Sequence, residues 1–237
     1  MTDAWILPLE TQGASLQTAG GKGANLARLA TAGFSVPPGF LLLTSAYRAY
    51  VAQNQLGPFI ESVLENLDAQ EPAALEAASA AIRERFAVGP LPPELEQALR
   101  EGYAALGEPP VAVRSSATAE DLPELSFAGQ QDTILKVTDE DALLKAMVDC
   151  WGSLWTARAI GYRARSGIPH GDLALAVVVQ EMVPAEAAGV LFTADPLSGK
   201  RTEMVLEATL GLGEALVAGQ VEPDRFRIDA ASGRVLE

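Results

Sequence analysis

Three short stretches of this chain carry residue types suited to an anionic ligand. The first is Gly20-Gly21-Lys22-Gly23. It offers backbone that can approach a phosphate closely, a lysine point charge and a helix N-terminus just behind. It is not a Walker A sequence, because Gly23 follows the lysine and no strand clearly precedes it. The second is RSSATAEDLPELSFAGQQDT, residues 114–133. Arg114, after the apolar run Val111-Ala112-Val113, could present its planar fork to phosphate oxygens. Gly129 permits close backbone approach, and Thr133 adds a hydroxyl. The polar residues between them suit a mobile lid, or else a solvated loop in which Arg114 pairs with Glu120 or Asp121. The third is Gln180-Glu181-Met182-Val183, which follows an apolar run and precedes Pro184. That is the pattern of a hinge between lobes, with backbone groups available to a flat base. Residues 209–215 place glycines at two-residue spacing but lack the third glycine and the βαβ setting of a dinucleotide loop.

Composition narrows the chemistry. Seventeen basic against 31 acidic residues give a formal charge of −14, unfavourable for non-specific nucleic-acid binding. An anion must therefore be met by locally concentrated Lys or Arg, by backbone N–H groups, or by a metal. One cysteine, Cys150, cannot form an internal disulfide or a cysteine-rich metal site. One histidine, His170, excludes multi-histidine metal centres; its setting, Ser-Gly-Ile-Pro-His-Gly, reads as a surface loop. Hydrophobic residues make up 49% of the 237, enough for a sizeable core. No run of about 18 apolar residues occurs, and the N-terminus lacks a signal-peptide pattern, so no membrane contact and a soluble cytoplasmic protein are expected.

The elements that must position these stretches follow from periodicity. A glycine-rich loop over 18–25 should run into a short helix ended by Gly33, with Val36-Pro37-Pro38-Gly39 blocking its continuation. A strand is expected at 40–43, then a helix capped by Thr44. Residues 60–107 read as helices in three pieces, with Leu75, Ala78, Ile82 and Phe86 on one stripe and Leu95, Leu99, Tyr103 and Leu106 on another. Strands are expected at 111–114, ending on Arg114, and at 133–137. Thr138 with Asp141 suggests a capping box opening one long helix to about Arg165, with Cys150 buried in it. Beyond 173 the pattern is β-rich, with a hairpin turn at Asp195–Lys200. Helices early and strands late indicate an α+β fold in two lobes.

Taken in order, these stretches resemble the ATP-binding region shared by phosphoenolpyruvate synthase, pyruvate phosphate dikinase and rifamycin phosphotransferase. The resemblance rests on Gly20-Gly-Lys-Gly-Ala-Asn-Leu26, Ala32-Gly-Phe-Ser-Val-Pro-Pro-Gly-Phe40, Val113-Arg-Ser-Ser-Ala-Thr-Ala-Glu-Asp-Leu-Pro123 and Ser126-Phe-Ala-Gly-Gln-Gln-Asp-Thr133. It extends through Val179-Gln-Glu-Met-Val183, Gly189-Val-Leu-Phe-Thr-Ala-Asp-Pro196 and Gly211-Leu-Gly-Glu-Ala-Leu-Val217. The motifs span roughly residues 15 to 229. Gln180-Glu-Met-Val and Phe192-Thr-Ala-Asp-Pro lean towards the rifamycin enzymes.

The resemblance implies an ATP-grasp-like fold with ATP between two lobes, residues 1–180 forming the first and 181–237 the start of the second. It implies that Lys22 and Arg114 hold ATP phosphates, and that Gly129 and Thr133 belong to the glycine loop covering them. Gln180 would lie at the adenine side, with Glu181 and Val183 as hinge contacts. Such proteins split ATP to AMP and phosphate, with Mg2+, and relay a phosphoryl group through a histidine on a separate domain to pyruvate or an antibiotic hydroxyl. That histidine, the acidic metal-binding segment and the acceptor domain are not found here. The expectation is therefore a truncated chain or one component of a split protein, its partner domains lying in cis or on separate chains. A non-catalytic nucleotide-binding or interaction module is the reading from another class.

Overall fold

The computed structural model describes residues 5–118, 133–171 and 173–237. Gly129 and the acids Glu120, Asp121 and Glu124 of the lid stretch lie outside the described residues. The chain divides into two compact units, Met1–Met182 and Val183–Glu237.

In the first unit, strand β1 (Ile6–Pro8) is followed by helix α1 (Leu16–Thr31). Ser15 caps α1 in a reciprocal capping box with Thr18, which places the helix start well before the glycines. The expected glycine-rich loop is thus a helix interrupted at one residue, Gly20, whose φ of 67° and ψ of 176° are non-helical. At the far end Gly33 adopts φ 84° as expected. Gly33 N–H bonds to Ala30 O and Phe34 N–H to Leu29 O, the two bonds of a Schellman stop.

Strand β2 (Gly39–Leu42) follows, then helices α2 (Thr44–Gln53), α3 (Leu56–Leu64), α4 (Pro72–Ala87) and α5 (Pro93–Ala105). Thr44 does not cap α2. It is the first helical residue, and its hydroxyl donates to Gln17 O instead. The α4 stripe Leu75, Ala78, Ile82 and Phe86 is buried, as are Leu95, Leu99 and Tyr103 of the α5 stripe, whereas Leu106 is the C-cap residue and only half-buried. Strands β3 (Val111–Ala117) and β4 (Thr133–Val137) come next. The expected long helix is two: α6 (Glu140–Ser153), capped by Asp139 rather than Thr138, and α7 (Ala157–Ser166). The break falls where the Thr156 side chain accepts from Ala159 N–H, starting a new helix. Strand β5 (Leu175–Glu181) completes the unit.

The five strands form one antiparallel sheet in the order β1-β2-β5-β3-β4. One face carries Phe40, Leu42, Val111, Val113, Val177 and Val179 into the main core, with the aromatic side chains Tyr50, Phe86 and Trp151. Each such fully buried side chain contributes roughly 1.5–3 kcal/mol against exposure. The opposite face is covered by α1, whose Ala19 and Ala27 pack with Leu41 and Val178. Between β3 and β4 the register shifts from Val111↔Val137 to Val113↔Ile134, a bulge at which Lys136 takes φ 58°.

The second unit is a three-stranded antiparallel sheet, β6 (Ala187–Phe192), β7 (Glu203–Leu210) and β8 (Asp224–Asp229), with a short helix α8 (Glu214–Val217). The Asp195–Lys200 turn closes as expected, with Asp195 N–H on Lys200 O. Register places Leu191, Leu206 and Phe226 side by side on one face. The other face carries the ion pairs Arg227–Glu203 and Arg225–Glu207. The mixture of helix and sheet bears out the α+β expectation.

Candidate functional site

Antiparallel pairing determines which side chains share a face, because directly opposed residues point the same way and alternate residues return to that side. Arg114 lies opposite Val178 on one side and Thr133 on the other. Val178 belongs to the α1 face. Arg114 and Thr133 therefore lie on that face as well, with side chains about 5 Å apart at Cβ. Gln180, two residues beyond Val178 and opposite Ala112, completes the row. Arg114, expected at a strand end, lies within β3, which continues for three more residues to Ala117. The strand itself therefore fixes the direction in which this side chain leaves the backbone. The Arg114 guanidinium forms no ion pair among the described residues.

Lys22 reaches the same strand from α1. Its Nζ donates to Ser115 O at 3.0 Å. The neighbouring glycines make this approach possible. A Cβ at Gly20 would lie 2.2 Å from Ser116 O, and one at Gly23 would lie 3.0 Å from Leu41 Cδ2. Only bare backbone can lie this close to β3 at Gly20, where φ is positive as well.

At the other end of the row, Gln180 is buried and its Nε2 donates to Pro37 O at 3.1 Å. The hinge stretch corrects one expectation: its amides are not all available to a ligand. Glu181 N–H donates to Pro38 O and Met182 N–H to Pro110 O, both at 2.9 Å. By register the Glu181 side chain falls opposite Val111, away from the Arg114 face. Val183 begins the second unit, is exposed, and its N–H makes no hydrogen bond among the described residues. The structure thus brings Lys22, Arg114, Thr133 and Gln180 together around one sheet face. Glu181 falls on the opposite face, and Gly129 lies outside the described residues.

A model of the family described as pyruvate phosphate dikinase, AMP/ATP-binding domain, matches residues 16–237. The chain belongs to that family. As a pyruvate phosphate dikinase AMP/ATP-binding domain, it is 44% identical over 229 residues to phosphoenolpyruvate synthase of Aeropyrum pernix, covering 94% of this chain and 28% of that protein. It is 46% identical over 234 residues to rifampicin phosphotransferase of Streptomyces sviceus, covering 96% and 27%. A probable phosphoenolpyruvate synthase of Methanothermobacter thermautotrophicus is 44% identical over 225 residues, covering 92% and 33%. The chain thus spans only about a third or less of these relatives' length. The resemblance drawn from the motifs is borne out at the level of the family.

Two features of this AMP/ATP-binding domain escaped sequence reading. The first is Ser116, fully buried, whose hydroxyl accepts from Gly23 N–H and donates to Ala19 O. The Arg-Ser-Ser stretch contained it, but only the fold reveals which backbone groups it meets. The second is His170, expected on a plain surface loop. It is half-buried, its Nδ1 accepts from Arg163 Nε at 3.2 Å, and its ring lies beside Trp155. Burial and the neighbouring Arg163 push its pKa down. Arg163 is itself fully buried, and this desolvation lowers its pKa to about 10, while its guanidinium lies over the Trp155 ring. Among the described residues, no group of three His, Cys, Asp or Glu side chains is arranged to hold a metal. No helix of the described residues is long and apolar enough to cross a membrane.

Proposed function

We propose that this chain is the ATP-binding part of a dikinase-type phosphotransferase, with the phosphates of ATP received on the Arg114 face of the first unit. One observation carries the reading: register and helix packing bring Lys22, Arg114 and Thr133 from three separate elements around a single sheet face. Lys22 supplies a point charge, Arg114 a bidentate fork and Thr133 a hydroxyl, the donor set a polyphosphate requires. Gly129 would join them from the glycine loop. Gln180 would meet the adenine side, and Val183 N–H would serve as the hinge donor. Glu181 would contribute to the hinge through its backbone carbonyl.

The finer reading is an ATP-grasp-like fold in which ATP is split to AMP and phosphate, the second unit forming part of the other lobe. The domain's own work is to position the phosphates and offset their developing charge, as phosphoryl transfer requires. Mg2+ enters as the counter-ion of ATP. The described residues do not assemble a His, Cys, Asp or Glu ligand set for it. The acceptor leans towards a rifamycin hydroxyl on the motifs Gln180-Glu-Met-Val183 and Phe192-Thr-Ala-Asp-Pro196, with pyruvate as the alternative because relatives of both names match at similar identity. The phosphohistidine and acceptor domains would act in cis or as separate chains.

Thermal unfolding with and without Mg-ATP tests the core of the proposal. Ligand at a hundred times Kd stabilises a binding protein by about 2.7 kcal/mol. The melting temperature should rise for the native chain and stay unchanged in Lys22→Ala/Arg114→Ala. An unshifted native chain at saturating nucleotide would overturn the reading.

A further inference from the structure

Ser116 is inserted into the backbone of a helix that is not its own. In α1, Ala19 O and Gly23 N–H are four residues apart, the pair a continuous helix would join directly. With Gly20 at φ 67° and ψ 176°, that ring cannot close. The Ser116 hydroxyl takes up both groups instead, donating to Ala19 O at 2.8 Å and accepting from Gly23 N–H at 3.0 Å. A side chain inserted into the helical ladder is a recognised cause of a kink. Here it comes from β3 and acts as a cap supplied by tertiary structure, satisfying an N–H that normally looks to a local Ser, Thr or Asp. Ser116 is fully buried, and a Cβ on Gly20 would collide with its carbonyl and its hydroxyl. Ala19, Gly20 and Gly23 are buried as well.

Lys22 lies between the break at Gly20 and the anchored amide of Gly23. Its direction is therefore set by where that amide is held. We propose that Ser116 is a positioning residue for the phosphate end of the site: its hydroxyl keeps α1 open at Gly20 and so aims Lys22 at the Arg114 face. This rests on the ATP reading and adds to it a residue that does not touch the nucleotide. Without the hydroxyl, two buried backbone groups lose their partner. The helix then regains its direct rung or shifts, and Lys22 turns with it.

The test compares the native chain with Ser116→Ala and Ser116→Cys. Affinities for Mg-ATP and for adenosine are measured by titration calorimetry, and deuterium exchange is followed at the Gly23 amide. In Ser116→Ala, ATP affinity should fall about tenfold while adenosine affinity holds, as expected when a charged hydrogen bond of about 1.5 kcal/mol is misdirected. Exchange at Gly23 should quicken about fivefold, the equivalent of one ordinary hydrogen bond. Ser116→Cys, with its weak S–H donor, should fall between the two, and it carries the test if the alanine variant does not fold. An unchanged ratio of ATP to adenosine affinity would overturn the inference. So would an equal loss of both ligands with a lowered melting point, which marks a merely structural role. A native chain that binds no ATP removes the functional reading first, and this inference with it.

Discussion

Lys22 Nζ donates to the main-chain oxygen of Ser115, the residue immediately after Arg114. Two cations from different elements are thereby brought to one strand, in a chain whose formal charge is −14. Lys22→Met should weaken Mg-ATP binding by about 10- to 100-fold, the range of one charge-assisted hydrogen bond of about 1.5–3 kcal/mol. Adenosine, which lacks phosphates, should bind both forms alike. Titration calorimetry across ATP, AMP and adenosine checks this. Equal weakening of all three would place Lys22 outside the phosphate site.

Arg114 should not tolerate lysine. A lysine keeps the charge but loses the planar fork that meets two phosphate oxygens at once. Arg114→Lys and Arg114→Gln are expected to lose ATP affinity to within a few fold of each other. Full retention in the lysine variant would show that only charge is required.

Gly20 and Gly33 both have positive φ, at 67° and 84°, but only Gly20 lies against another strand. Gly33→Ala should cost about 1–2 kcal/mol for the left-handed backbone alone. Gly20→Ala adds the collision with Ser116 and should cost about 3 kcal/mol or more, in line with overpacking elsewhere. Urea unfolding of the two variants separates strain from clash. Equal costs would mean that the strand yields.

His170 is the sole histidine, so its ring protons can be followed in an NMR titration without assignment. Its pKa should lie below the ordinary 6.5, and it should rise in Arg163→Met, which removes one of the two causes of the shift. The sign for stability follows directly. Below pH 6.5 the unfolded chain takes up a proton before the folded chain does, so stability falls as pH drops through 6.5 towards the folded value. The loss should be smaller in Arg163→Met. An unshifted native pKa would contradict the burial seen here.

Much of this was legible from residue order. Pro93 at the start of α5, Gly33 at the end of α1 and the buried stripe of α4 are local signals, and each is found where periodicity or capping placed it. The errors share a cause. Thr44, Thr138 and the glycine run were read from their immediate neighbours, whereas their backbone or hydroxyl partners are settled by contacts or caps that compete with them. Gln17 O claims the Thr44 hydroxyl, Asp139 outcompetes Thr138 by one position, and Ser116 reaches α1 from 93 residues further along the chain. The candidate cations were recognisable by type, but their common face was not. That depends on the register of β3 against β4 and β5, which no single segment encodes.

Strand β3 serves two purposes in alternation, with Val111 and Val113 in the core and Arg114 and Ser116 turned to α1. A one-residue insertion or deletion within it would exchange the two sets, burying a guanidinium among aromatic side chains and stranding valines beneath a helix. Next to β3, the bulge at Lys136 in β4 is where an extra residue is already absorbed. Point substitutions can be explored gradually along β3, but changes of length cannot.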